Sequence, residues 1–164
     1  MKLSKNFSKA ELCKSQTATR MGLNNNPTDD QTENLRLLCE RVLQPVRDHF
    51  NQVVSISSGF RDPILSQKIG SSINSQHCKG EAADLEIFGV ANNELADWIK
   101  ENLMFDQLIL EYHTPGEPNS GWVHVSYTKE INSNRKEYLM ATKNALGKTE
   151  YKQILGLSTD RYVK

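Results

Sequence analysis

The sequence predicts an α+β fold with a small, mainly antiparallel sheet and flanking helices. Helical patterns dominate the first 50 residues, and short segments with alternating apolar and polar residues follow. The last two clear strands, residues 105–112 and 122–127, are separated only by a turn-rich loop with two prolines and a glycine. Strands that follow each other so closely pair antiparallel, because a parallel pair needs a long crossover.

Two capping boxes mark the first helices. Residues 8–11 (Ser-Lys-Ala-Glu) predict a short helix that begins near residue 9 and is ended by the turn-rich stretch 24–27. Residues 28–31 (Thr-Asp-Asp-Gln) predict a second helix, which extends to about residue 49 and is bent or ended by Pro45. Its apolar residues recur at helical spacing: Leu35, Leu38, Cys39, Val42 and Val46.

The remaining segments alternate between strands and helices. In order, the patterns predict strand 53–57, helix 62–70, loop 71–81, strand 83–87, helix 92–103, strand 105–112, loop 113–120 and strand 122–127. Residues 133–143 fit either a helix or a strand, Gly147 a turn, and 148–164 a hairpin arm or a loosely held tail. We expect one functional domain over residues 1–130, with helices 8–50 included, and a C-terminal extension, 131–164, packed on it.

Composition and charge narrow the possible partners. The 164 residues carry 20 Lys+Arg and 20 Asp+Glu, so the formal net charge is zero and nucleic acid is not an expected partner. No segment approaches the roughly 20 apolar residues of a membrane helix, so membrane insertion is not expected. The N-terminus has no secretory signal pattern, which predicts synthesis in the cytoplasm without a signal peptide. The oligomeric state is open, with a monomer favoured.

A polar constellation stands out against these strands. His77 lies in a polar loop, Asp84 follows it in a strand, and His124 lies in a later strand. Alternation places Asp84 and His124 on the faces of their strands that point away from the core, so neighbouring strands would bring them together with His77. Two imidazoles and one carboxylate leave a fourth tetrahedral position open, which is typical of catalytic zinc and predicts one Zn²⁺ per chain.

The same reasoning supplies candidates for catalysis and substrate binding. Glu111 ends a strand on its non-core face and is the candidate general base. Arg61, after the segment Ser57-Ser58-Gly59-Phe60, could hold an anion or polarise a scissile carbonyl group. Further candidates for contact with the substrate are Ser75, Gln107 and Trp122, and packing is the alternative role for Trp122.

Ordinary structural roles compete with several of these assignments. Arg61 could form a structural salt bridge, and Glu111 could be a strand-end carboxylate without a catalytic role. His113 is expected to be a solvated loop residue, with a metal or substrate contact as the alternative. Cys78 could in principle be a fourth ligand that closes the site, although adjacent residues rarely reach the same metal. Cys13 and Cys39 are expected to be free thiols on helix faces.

The pattern Ser75-x-His77-x-x-Gly80-x-Ala82-x-Asp84, followed by Trp122-x-His124, resembles the M15 family of zinc D-Ala-D-Ala carboxypeptidases and related peptidoglycan peptidases. The segment 57–61 resembles that family's Ser-Gly-Tyr/Phe-Arg element, and segments 17–20 and 43–47 are similar to a phage-associated branch. The resemblance implies a hedgehog/D-Ala-D-Ala-peptidase-like fold, zinc bound by the three ligands, and Arg61 in contact with substrate. Some branches place the base three residues before the last histidine, where this chain has Gly121.

The leading hypothesis is therefore a zinc peptidase that hydrolyses peptidoglycan stem peptides, either as a D-Ala-D-Ala carboxypeptidase or as an L-Ala-D-Glu endopeptidase. It would act on the cell wall after phage-type release, as an endolysin, or as a virion component. The alternative is a virion or tail-associated structural or wall-binding module that retains the zinc site. A metal-free domain is the third possibility.

Overall fold

Helices come first in the chain and strands later, as the sequence predicts. The computed structural model describes residues 1–158, and the elements follow in this order: α1 (Lys9–Leu12), α2 (Gln16–Met21), α3 (Asp29–Leu38), a π-helical turn (Cys39–Leu43), α4 (Gln44–Phe50), β1 (Ser55–Ser58), α5 (Pro63–Lys68), a 3₁₀ turn (Gln76–Lys79), β2 (Ala82–Glu86), α6 (Asn92–Asn102), β3 (Gln107–Glu111), β4 (Trp122–Ser126), a 3₁₀ turn (Ile131–Ser133), β5 (Glu137–Lys143) and β6 (Thr149–Gln153).

All six strands belong to one sheet, in the order β1-β2-β4-β3-β5-β6. Every neighbouring pair is antiparallel except β3–β5, which is parallel. The predicted α+β class with a mainly antiparallel sheet is therefore confirmed. In the register of the central strands, Asp84 of β2 lies opposite His124 of β4, and Glu111 of β3 lies opposite Trp122.

The core lies between one face of the sheet and the helices. The alternate residues of the central strands that face it are completely buried and belong to one apolar cluster with residues of α3, the π turn, α4 and α6. On the strand side these are Ala83, Leu85, Leu108, Leu110, Val123 and Val125. Alternation therefore leaves the next residues, Asp84 and His124 among them, on the opposite face of the sheet.

One departure from the sequence prediction concerns the first helix. The single helix predicted between residue 9 and the turn at 24–27 is divided in two: α1 ends at Leu12, and α2 begins after Ser15, whose hydroxyl accepts a hydrogen bond from Ala18 N, and ends at Gly22 in the left-handed conformation. The long second helix reaches Phe50, close to its predicted end near residue 49, and Pro45 does not end it. Five residues just before Pro45 form the π-helical turn, and α4 then continues to Phe50. The wider turn accommodates a residue that cannot donate to the helix ladder.

The first strand is shorter than predicted, and the C-terminal ambiguity is resolved in favour of strands. Val53 is 75% exposed, so β1 begins only at Ser55. Residues 137–143 form β5, and Gly147 lies in the turn to β6, so the predicted hairpin arm is present. Residues 159–164 of the predicted extension lie outside the described residues. None of the helices within residues 1–158 has the length and apolar character that crossing a membrane requires.

Candidate metal centre

His77, Asp84 and His124 converge on one point of the sheet's polar face. Asp84 Oδ1 lies 3.3 Å from His77 Nε2 and 3.1 Å from His124 Nδ1, and the three candidate ligand atoms all lie within 4.8 Å of one another. The paired register of β2 and β4 sets Asp84 against His124. His77 arrives from the 3₁₀ turn that precedes β2. The predicted triad is therefore assembled as the strand alternation indicates.

A backbone carbonyl group on the side of the ring away from Asp84 fixes the orientation of His77. Its Nδ1 lies 2.8 Å from the carbonyl oxygen of Gly59, which can only accept, so Nδ1 carries the proton and Nε2 turns its lone pair toward Asp84. Gly59 itself has no room for a side chain, because a Cβ there would lie 2.1 Å from the carbonyl oxygen of Leu12. The Arg61 N–H in turn donates to the His77 carbonyl, at 3.1 Å.

His124 is oriented by a different partner. Its Nε2 lies 2.8 Å from Gln76 Oε1, which accepts, so Nδ1 is left with a lone pair that faces Asp84. Three acceptor atoms, two imidazole nitrogens and one carboxylate oxygen, therefore point at one another. Such an arrangement is repulsive unless a cation lies among them or an imidazole takes up a further proton. The donor set is one that zinc favours, and the residues present fit a metal ion.

The electrostatics of Asp84 agree with a cation-binding role. Burial would raise the pKa of this carboxyl group, but when the imidazoles of His124 and His77 are protonated, their hydrogen bonds and charge hold it well below its ordinary value. Both imidazoles are themselves buried. With a cation or an added proton among these groups, the carboxylate therefore stays ionised.

Glu111 lies on the same face, at the end of β3. Burial raises the pKa of Glu111, and the negative charge of Asp84 adds to this effect. A carboxylate with a raised pKa suits a group that must accept a proton and return it.

The neighbouring glycine explains why this chain cannot carry a base three residues before His124. Gly121 has a φ of 67°, and a Cβ there would lie 1.9 Å from the carbonyl oxygen of Glu111. A glutamate at this position would displace the backbone of the strand that carries Glu111. The close approach of the two chain segments and a base at position 121 therefore exclude each other.

One open cavity of about 810 Å³ joins all the predicted site residues. Its walls include the triad together with five other candidates from the sequence, Arg61, Ser75, Gln107, Glu111 and Trp122. Within residues 1–158, the buried Nε of Arg61 has no hydrogen-bond partner, so this donor is available to a bound molecule. The Ser75 hydroxyl accepts from His77 N, at 3.2 Å, and so also shapes the turn.

Gln107 and Trp122 combine wall and framework roles. The Gln107 amide donates to Glu137 Oε1, at 2.7 Å, and links β3 to β5. The Trp122 ring packs beside Tyr112, with 5.4 Å between the ring centroids. The two roles proposed for Trp122 from the sequence, cleft wall and aromatic packing, therefore coexist.

Sequence reasoning missed several residues of this cavity. Gln76 was not predicted as a site residue, although it is adjacent to His77 and contacts His124. Tyr151 reaches the wall from β6, far along the chain, and only the pairing of β6 with β5 and of β5 with β3 brings it there. Burial raises the pKa of Tyr151, and the charge of Glu111 adds to the shift.

A second cavity, of about 540 Å³, continues beyond Arg61. It shares Arg61, Ile69 and Asp84 with the first and is otherwise formed by β1, α5 and residues 14–17. Lys14 places a cationic side chain in its wall. The polar face of the sheet thus offers a binding region considerably longer than the metal centre itself.

The structure shows where His113 and Cys78 lie, two residues whose roles the sequence left open. His113 is 5% exposed, and its Nδ1 lies 3.2 Å from the Ser120 carbonyl oxygen, so the expectation of a solvated loop residue is wrong. The loop folds back on itself and encloses the ring. Cys78 turns its Sγ toward the Ser72 carbonyl oxygen, at 3.8 Å, and does not belong to the triad.

The two helix-face cysteines are free thiols, as expected, with Cys39 buried and Cys13 half-buried. Burial raises the pKa of Cys39 to about 12, which makes it an inert core thiol.

Comparisons with known proteins agree with this geometry. A family model described as Peptidase M15 matches residues 5–126, which include every residue of the triad, Arg61 and Glu111. A comparison with curated protein sequences gives no match. The matched region ends at the last residue of β4, so β5 and β6 lie beyond it.

Proposed function

The chain belongs to the Peptidase M15 family, and on that premise we propose that it is a zinc-dependent peptidase that hydrolyses the stem peptides of peptidoglycan. The observation that carries the proposal is the convergence of two imidazole lone pairs and the Asp84 carboxylate in an open cavity beside Glu111. A closed structural zinc site would use a fourth protein ligand, and within residues 1–158 no fourth His, Cys, Asp or Glu joins the cluster.

Zinc held by His77, Asp84 and His124 would supply Lewis acidity to the scissile carbonyl group and make water a stronger nucleophile. Glu111 then takes one proton from the attacking water as the new carbon–oxygen bond forms. When the carbon–nitrogen bond breaks, the same carboxyl group returns that proton to the departing amine. Burial raises the pKa of Glu111, which favours the return of the proton in the second step.

Arg61 is proposed to orient the peptide. Its buried Nε has no hydrogen-bond partner within residues 1–158, and its side chain lines both cavities. A carboxylate or carbonyl oxygen of the substrate would satisfy that donor, since a buried unpaired donor is costly. Ser75, Gln107 and Trp122 are proposed as further walls of the substrate cleft.

The substrate class rests on the resemblance of the metal motif to peptidoglycan peptidases, and the shape of the cleft favours the longer of the two candidate substrates. A terminal D-Ala-D-Ala bond needs room on one side of the metal, whereas an internal L-Ala-D-Glu bond needs room on both. The second cavity beyond Arg61 offers that room, and Lys14 in its wall suits the carboxylate groups of a stem peptide. The place of action in this proposal is the cell wall, reached by phage-type release or as part of a virion.

Digestion of purified peptidoglycan tests the proposal directly. Mass spectrometry of the fragments should show one new amine and one new carboxyl terminus at a single type of peptide bond. The activity should disappear with a chelator and return with zinc, and metal analysis should give one zinc per chain. A protein that binds zinc but never cleaves the wall would support the structural module instead, and a protein that binds no metal would exclude both.

A further inference from the structure

A series of polar contacts connects the metal centre to residues outside the region that the family model matches. His124 Nε2 faces Gln76 Oε1 at 2.8 Å, and Gln76 Nε2 donates to Asp106 Oδ2 at 3.1 Å. Asp106 in turn receives three hydrogen bonds from Arg135: Nε and the backbone N–H to Oδ1, at 2.8 and 3.1 Å, and one guanidinium NH₂ to Oδ2, at 3.1 Å. The series links a ligand of the proposed metal to the residues just before β5.

The chemistry of the side chains fixes which group donates and which accepts in this series of contacts. A guanidinium group can only donate, and an ionised carboxylate can only accept. Burial would raise the pKa of Asp106, but the hydrogen bonds and charge of Arg135 hold it below its ordinary value, so it is ionised at neutral pH. The amide of Gln76 must then present its NH₂ group to Asp106, which leaves only its oxygen to face His124.

The consequence reaches the metal ligand. An acceptor at Nε2 selects the tautomer of His124 that carries its proton on Nε2 and its lone pair on Nδ1, the atom directed at Asp84. A free glutamine amide could rotate by half a turn and offer a donor instead, which would favour the opposite tautomer and spoil the site. Outer partners of this kind commonly fix the orientation of histidine ligands.

We propose that Gln76, Asp106 and Arg135 form a positioning relay that holds His124 in its metal-binding tautomer, so that the segment beyond β4 contributes to metal affinity. This proposal rests on the proposed zinc function. It assigns a role to Arg135, which lies outside residues 5–126, and to Asp106, which is buried at the entrance to β3. Neither residue touches the metal ligands directly.

Zinc affinity, measured on the full chain by competition with a chromophoric chelator, is the first test. Gln76→Ala should weaken zinc binding by about 10- to 100-fold. It should also change the visible spectrum of the Co²⁺-loaded protein, while the thermal unfolding of the metal-free protein stays close to that of the parent. Gln67→Ala, an exposed glutamine on α5, is the matched control and should change none of these.

A double-mutant cycle tests whether Arg135 acts through Gln76. Arg135→Ala should weaken zinc binding by a smaller factor than Gln76→Ala, and it should add nothing when Gln76 is already alanine. Arg36→Ala, in the exposed ion-pair network of α3 with Glu33 and Glu40, is the matched control. An effect of Arg135→Ala that is equally large in both backgrounds, or absent in both, would overturn the relay.

An exchange of the amide and the carboxylate gives the sharpest test. Gln76→Glu alone sets two carboxylates against each other, and Asp106→Asn alone removes the acceptor that fixes the amide. The combined variant Gln76→Glu/Asp106→Asn restores the alternation between these two positions, because the asparagine NH₂ donates to the new carboxylate. The asparagine oxygen keeps the two hydrogen bonds that Arg135 gives to Oδ1, and only the one to Oδ2 is lost. It should regain parental zinc affinity and the parental Co²⁺ spectrum. Failure of this rescue, in a double variant that is folded at the temperature of the zinc titration, would overturn the proposal.

These measurements need no peptidase activity. A parent protein that binds zinc but cleaves no peptide would overturn the proposed function. The relay would then be judged from the zinc affinities of its variants. A parent that binds no zinc would overturn both.

Discussion

The two faces of the central strands are built from alternate residues of the same segments, yet they follow opposite rules. On the core face, Leu85, Val123 and Val125 are completely buried and belong to the apolar core cluster. On the polar face, His124 is buried and Asp84 is partly buried, and they face each other with unshared electron pairs. The apolar arrangement stabilises the folded chain without any ligand. The second becomes favourable when a cation is added.

The difference separates residues that maintain the fold from residues that maintain the site. Burial alone does not distinguish them, because His77, at 3% exposure, is as inaccessible as many core residues. What distinguishes them is whether the neighbours of a buried polar group satisfy its hydrogen bonds or leave it able to bind a ligand. Variants on the two faces should therefore change different measured quantities.

The largest effect is expected from His124→Ala. Loss of a ligand should weaken zinc binding by more than the roughly 100-fold upper range of an outer partner and should abolish peptide hydrolysis. The unfolding free energy of the metal-free protein should change less than it does for a core variant, since repulsion among the acceptors is relieved. Chelator competition and denaturant titration check the two parts. Hydrolysis at the parental rate would contradict the division of roles.

Glu111→Gln is expected to have the next largest effect. The amide keeps the size of the side chain but cannot accept the proton of the attacking water, so kcat should fall by about 10²- to 10⁴-fold. Zinc content and unfolding should remain those of the parent. Steady-state kinetics on muropeptides, with metal analysis of the same preparation, make the comparison. Unchanged kcat would show that another group serves as the base.

On the core face, Leu85→Ala should behave in the opposite way. Removing a completely buried leucine should lower the unfolding free energy by about 2–5 kcal/mol, while the fraction that remains folded still binds one zinc. Ile64→Ala is a suitable control, since Ile64 is 58% exposed and such a change should stay within about 0.5 kcal/mol. Equal losses in the two variants would contradict the assignment of Leu85 to the core.

The smallest effect concerns the contribution of Asp106 to stability as a function of pH. The folded-state pKa of Asp106 is lowered, so its contribution is fully present above the unfolded value of about 3.9 and is lost as the pH falls through the lower folded value. Asp106→Asn should therefore be less stable than the parent at neutral pH, and the difference should shrink below about pH 4. Denaturant titrations of the metal-free proteins across pH 2–7 measure it. A constant difference at every pH would contradict the charge pairing with Arg135.

The triad was predictable from the sequence because strand periodicity is local and strict. Once residues 83–87 and 122–127 are recognised as strands, the faces of Asp84 and His124 follow from alternation alone. The same rule placed Gln107 and Glu111 correctly. His77 lies outside the strands, so alternation could not place it; it was expected to reach the same face from the preceding loop, and the motif resemblance includes it as well.

Other parts of the site depend on information that no local pattern contains. The direction of the Gln76 side chain depends on a 3₁₀ turn capped by Ser75, and its function depends on Asp106, which is 30 residues away in sequence. Tyr151 reaches the cavity only through two successive strand pairings. For α2 a local signal did exist, since Ser15 and Gly22 flank it as a helix start and stop.

The parallel pairing of β5 with β3 has a consequence for how the domain can be trimmed. A chain cut at the end of the family match would leave Leu108, Ile109 and Leu110 along an open sheet edge, with unpaired backbone groups ready to pair with another molecule. The hairpin β5–β6 covers that edge and moves the margin of the sheet to β6, where Glu150 and Lys152 are exposed. Removal of the β5–β6 hairpin is therefore expected to promote self-association through the uncovered edge of β3.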